Sequence, residues 1–64
     1  MDVMDTEVIF EFITQGISVR VTAIHVASGK EVVIIAPQRS PRIYQQQIAL
    51  AKLKRAMGER LSRG

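Results

Sequence analysis

Val8-Ile9-Phe10-Glu11-Phe12-Ile13-Thr14-Gln15-Gly16-Ile17-Ser18-Val19-Arg20-Val21-Thr22-Ala23-Ile24 decides the fold. Up to Ile13 the side chains alternate, Val8, Phe10 and Phe12 on one face and Ile9, Glu11 and Ile13 on the other, which is the two-residue period of a half-buried strand. Thr14-Gln15-Gly16 breaks the pattern with a glycine able to take positive φ. The alternation then resumes as Ile17, Val19, Val21, Ala23 against Ser18, Arg20, Thr22, Ile24. Two alternating runs around such a break form a β-hairpin. Taking Gln15-Gly16 as a two-residue loop sets Phe12 opposite Val19, Phe10 opposite Val21 and Glu11 opposite Arg20, pairing apolar with apolar and negative with positive.

Moving outward, Ala27-Ser28-Gly29-Lys30 makes a second turn, and Val32-Val33-Ile34-Ile35-Ala36 is too β-branched and too short for a helix, so it reads as a third strand. Whether that turn holds two residues, or three with a bulge, decides whether Val32 and Ile34 or Val33 and Ile35 face the core; both pairs are apolar and the pattern leaves the choice open. Pro37 ends the sheet. Ser40-Pro41 then offers a hydroxyl N-cap and a proline at the first helical position. Beyond it Ile43, Leu50, Leu53, Met57 and Leu61 share a stripe flanked by Tyr44, Ala49, Ala51 and Ala56, with Lys52, Arg55 and Glu59 opposite. Gly58 weakens the later turns. The expectation is an α+β domain: a three-stranded antiparallel β-meander followed by one C-terminal helix packed on one sheet face. A single domain spans 1–64, with 1–6 a flexible N-terminus, 7–37 the sheet, 40–61 the helix and 62–64 frayed.

At 64 residues such a domain hides only roughly 60% of the surface its unfolded chain exposes, so its core is thin. Small domains gain stability from disulfides, a metal or self-association, and this chain has no cysteine and one histidine, His25. Self-association is the remedy that remains. The second sheet face, Ile9, Ile13 and Ile24 with Val33 and Ile35 from the third strand, is apolar enough to mark an interaction site despite Glu11, Arg20 and Thr22. A homodimer is the simplest expectation, through edge pairing of strand three or stacking of these faces, with the mixed polarity of the face favouring the edge. The acidic start, Met1 to Glu7, lacks the basic opening of a signal peptide, and no apolar run approaches the roughly 20 residues of a membrane helix. Both point to a cytoplasmic protein with no membrane partner.

Charge divides the chain. Residues 1–38 set Arg20 and Lys30 against Asp2, Asp5, Glu7, Glu11 and Glu31, a net of −3; residues 39–64 set Arg39, Arg42, Lys52, Lys54, Arg55, Arg60 and Arg63 against Glu59, a net of +6. Arg39, Arg42, Lys52, Lys54, Arg55 and Arg60 are accordingly the candidates for phosphate contacts with a nucleic acid. Against that, cations late in a helix also complement its dipole, and the two phenylalanines fall on the core face, leaving only Tyr44 for base stacking. Nucleic acid is therefore a possible but not the favoured partner. Arg39-Ser40-Pro41-Arg42 brings two cations to a helix start, where an anion could sit or where both are simply solvated.

The chemical inventory excludes more than it suggests. Four serines share one histidine, and Glu7, Glu11, Glu31 and Glu59 show no spacing that pairs two in a cleft. His25 reads as a strand-end residue, not a metal ligand, and Gln45-Gln46-Gln47 as three ordinary helix residues. Gly29-Lys30 lacks the glycine spacing of a phosphate loop. No enzyme activity, cofactor, metal or small-molecule substrate is expected.

The run Val8 to Ile13, Gly16, Ser18 to Val21, Ala23-Ile24, then Ser28-Gly29-Lys30-Glu31-Val32 and Ala49-x-x-Lys52-Leu53, resembles a family of very short alphaproteobacterial proteins of unknown function. The resemblance covers about Glu7 to Met57 and implies a free-standing bacterial domain, with no site residues to carry over. A looser architectural likeness is to the three-strand-plus-helix DNA-binding domains of plant transcription factors and some integrases, but those need a basic sheet face, and here that face holds Arg20 among isoleucines.

Overall fold

The computed structural model describes residues 7–58. In it the chain runs β1 (Val8–Gln15), β2 (Ser18–His25), β3 (Glu31–Pro37) and α1 (Arg42–Ala56). The strands form one antiparallel sheet in the order β1-β2-β3, and α1 lies across β2 and β3. This is the expected βββα arrangement. The expected flexible N-terminus, the frayed C-terminus, Glu59, Arg60 and Leu61 lie outside the described residues. Among the described residues, no helix is long and apolar enough to cross a membrane.

The first hairpin corrects the expected register. Phe12 pairs with Val21, Phe10 with Ala23 and Glu11 with Thr22, a slide of two residues, so that the loop is Gly16-Ile17 rather than Gln15-Gly16. Gly16 has φ +62° and, among the described residues, no non-glycine has positive φ. Positive φ at only the first loop position is the signature of a II′ turn, whose twist matches the flanking strands. Glycine thus belongs first in the loop, not second. A Cβ added at Gly16 meets nothing within 4 Å, so the cost of Gly16→Ala is purely conformational. Left-handed backbone penalises L-residues by about 1–2 kcal/mol; denaturant titration should show a loss of about 1 kcal/mol, near the lower end of that range.

The second hairpin settles the open face of β3. Its loop is Val26-Ala27-Ser28-Gly29: the Gly29 amide donates to the His25 carbonyl and the His25 amide to the Lys30 carbonyl, both at 2.8 Å, with Gly29 at φ +78°. His25 secures this loop through its ring. Lys30 N–H donates to Ser28 Oγ at 3.1 Å, and Ser28 presents both its hydroxyl (2.7 Å) and its N–H (3.3 Å) to His25 Nδ1, assigning the ring proton to Nε2. A four-residue loop pairs Val21 with Ile34 and Val19 with Ala36, putting Ile34 and Ala36 in the core and Val33 and Ile35 on the other face.

The core is Val19, Val21, Ala23, Ile34, Ala36, Ala49 and Leu53, with Val8, Phe10, Phe12, Val32, Ile48, Leu50 and Met57 packed around it. The helix departs from the expected stripe. Its buried line is Gln45, Ala49 and Leu53, followed by half-buried Met57, whereas Ile43 is 60% exposed. Ser40 is not the N-cap: Pro41 is, with no side-chain cap bond. Ser40 instead closes a turn, its N–H and Oγ both donating to the Pro37 carbonyl at 3.1 and 2.6 Å. Gln45, 3% exposed, completes the joint, its Nε2 donating to the Ser40 carbonyl at 2.9 Å, to Ser40 Oγ at 3.1 Å and to the Pro37 carbonyl at 3.4 Å. It is therefore more than an ordinary helix residue. At the other end Gly58, with φ +89°, stops the helix after Ala56, its N–H donating to the Arg55 carbonyl. A left-handed glycine just past the last turn is the common helix stop, so Gly58 ends α1 where a continuation to Leu61 was expected.

Candidate interaction face

Side chains alternate across a strand, so the same pairing that turns Val19, Val21 and Ile34 toward α1 turns a second set away from it. Across the three strands that set forms rows. Ile9, Ile24 and Glu31 make one row; Glu11, Thr22 and Val33 the next; Ile13, Arg20 and Ile35 the third. All five residues expected on an association surface, Ile9, Ile13, Ile24, Val33 and Ile35, thus share one face, and among the described residues no helix lies over it. Ile9, Ile13, Val33 and Ile35 are exposed, Ile35 to 61%. Thr22, at the centre of the middle strand, is buried. Glu11 and Arg20 are exposed and stand diagonally, and among the described residues no ion pair joins them.

The two sheet edges differ. The end bonds of the β2–β3 hairpin, His25 N–H to the Lys30 carbonyl and Gln38 N–H to the Ile17 carbonyl, fix the alternation in which Val32, Ile34 and Ala36 bond to β2 while Val33 and Ile35 turn their backbone groups outward. Lys52 covers this edge: its Nζ donates to the Val33 carbonyl at 2.8 Å. Pro37 has no N–H to offer, and its carbonyl is occupied by Ser40 and Gln45. Lysine and proline are the usual means of blunting an edge strand. Among the described residues the β1 edge carries no such guard, and Val26 N–H bonding the Glu7 carbonyl leaves the backbone groups of Val8, Phe10, Phe12 and Thr14 pointing away from β2.

The basic residues sit in different surroundings. Arg39 lies exposed in the turn before the helix, and the Arg42 guanidinium carbon sits 4.0 Å from the centre of the Phe12 ring, a cation–π contact across the sheet. Lys52 is committed to β3, Lys54 is half-buried, Arg55 is exposed, and Arg60 is outside the described residues. Ser40 Oγ, which a phosphate at the helix start would need, already bonds Pro37 and Gln45. Among the described residues no three His, Cys, Asp or Glu side chains gather into a metal site.

Gln45 and Lys52 were the residues that sequence reasoning missed. For Gln45 a signal exists: it lies on the i, i+4, i+8 line of Ala49 and Leu53, and a polar side chain on a buried line must find partners.

A family model for a domain of unknown function (DUF6898) matches residues 5–60. The chain belongs to this family. DUF6898 therefore covers the sheet, the helix and the helix-free face, in agreement with the resemblance to an unknown-function family. No curated protein and no solved structure matches the chain.

Proposed function

We propose that this DUF6898 domain is a non-catalytic cytoplasmic interaction module that binds a second copy of itself through the helix-free sheet face. The observation that carries this reading is the gathering of Ile9, Ile13, Val33 and Ile35, all exposed, on one face of a sheet whose other face packs against α1 through β2 and β3. Burying apolar surface is worth about 25 cal/mol per Å², and a domain with so thin a core gains from doing so twice. The blunted β3 edge supports the face over strand-three pairing, because a partner strand there would have to displace Lys52 and would meet Pro37.

Three short strands bury less than the roughly 800 Å² per partner of a standard interface, so dissociation in the micromolar range is expected. Sedimentation equilibrium from 5 to several hundred micromolar (about the range such an affinity requires) should show a reversible dimer. Ile35→Lys, which leaves the core untouched, should weaken it at least about tenfold with unchanged circular dichroism. A wild-type chain monomeric throughout would overturn the reading.

A further inference from the structure

Resting on that reading, we infer that the two copies stack with their strands crossed, about a two-fold axis running diagonally over the face from Ile13 through Thr22 to Glu31, so that Glu11 of each copy pairs with Arg20 of the other. The face itself selects this axis. Strands lie about 4.8 Å apart and same-face residues about 6.8 Å apart along a strand, so its three rows form a rectangular grid whose two spacings differ by about 2 Å. In an isologous contact each residue meets the position that the two-fold axis assigns it.

An axis along β2 would lay Arg20 on its own copy and Glu11 on Val33. An axis across the strands would lay Glu11 on Glu11 and Arg20 on Ile24. Either strands charges against like charge or hydrocarbon, which costs far more than a loose fit. The diagonal axis exchanges Glu11 with Arg20, Ile24 with Val33 and Ile9 with Ile35. Thr22 and Ile13 meet their own copies, and the one like-charged meeting, Glu31, falls at the solvent rim. The sheets then cross at roughly 70–90°, within the orthogonal class of sheet packing. The two charges that interrupt the apolar face thereby act as its register. They are exposed, have no ion-pair partner among the described residues and are placed symmetrically about the diagonal. That symmetry is what a second copy of this chain, and no arbitrary partner, requires.

The test is a charge exchange between copies. Glu11→Arg leaves positions 11 and 20 both cationic and Arg20→Glu leaves both anionic, with Glu31 at the rim unchanged; each alone should weaken self-association at least about tenfold, because both inter-copy 11–20 pairs become repulsive. Mixed in equal amounts, the two variants should form a heterodimer at least as tight as the wild-type dimer, resolved from either homodimer by mass in native mass spectrometry. Both positions are exposed, so circular dichroism should confirm unchanged folds. If both variants dimerise like wild type, the inference fails while self-association stands, pointing to another surface such as the open β1 edge. If the single variants separate but their mixture stays monomeric, the Glu11–Arg20 pairing is overturned. A monomeric wild-type chain strikes the underlying reading instead.

Discussion

Replacing Leu53 by alanine is expected to remove about 3 kcal/mol of folding stability, the largest single-site effect in this domain. Leu53 is fully buried, at 0% exposure. Among the described residues it is also the largest fully buried side chain, seated where α1 meets β2 and β3. Alanine there forfeits the transfer energy of the lost methyl and methylene groups and leaves a cavity that a two-layer domain can close only by pulling the helix down on a paired sheet. A domain of this length has a total stability of roughly 3–10 kcal/mol, so the variant should be partly or wholly unfolded at room temperature. Urea denaturation followed by circular dichroism measures the loss, at several protein concentrations because dimerisation adds to apparent stability. Ile43→Ala is the matching control, since Ile43 is solvent-facing and should change stability by no more than about 0.5 kcal/mol. Equal losses from the two would mean that the helix is rotated from the orientation described.

The second large effect is expected at Gln45. Its amide reaches three acceptors in the connection between β3 and α1. Gln45→Leu keeps most of the packing but strips the buried joint of its donor, leaving the Ser40 carbonyl unsatisfied by this side chain. A buried polar group that loses its partner costs about 1–3 kcal/mol, so a loss of about 2 kcal/mol is expected. Gln45→Glu separates hydrogen bonding from packing: its shape is nearly the same, but an ionised carboxylate aimed at two carbonyls repels them, and stability should recover on acidification as the protonated acid regains a donor. Stability of the glutamate variant that does not rise toward low pH, relative to wild type, would show that Gln45 acts by packing alone.

The hairpin register shows how local pattern and tertiary structure divide the work. Sliding β1 by two residues changed every cross-strand partner yet moved no side chain between faces, because the alternation repeats every two residues. The pairing of Glu11 with Arg20 was thus an error of neighbour, not of face, and both remain on the side where the inter-copy pairing places them. The helix was less legible. Its start and stop depend on Gly58 adopting positive φ and on Ser40 turning back to Pro37, which side-chain periodicity does not encode, and its buried line carries Gln45, whose spacing marks it as buried but not the acceptors it finds up to eight positions away.

By itself, the amino-acid sequence determined three strands and a helix, and, in β1 and β2, which side chains share a face. Alternation and glycine-marked turns are local properties, read within a few residues. Only the tertiary structure decided which face of β3 meets the helix, because Val32-Val33-Ile34-Ile35 is apolar on both sides and a chain indifferent to two registers takes its choice from the four-residue loop held by His25 and Ser28. The same holds for the blunted edge. Lys52 reaches Val33 across 19 positions, and a contact at that separation exists only once the helix has folded back over the sheet, which is why a residue that reads as a solvated cation guards a strand.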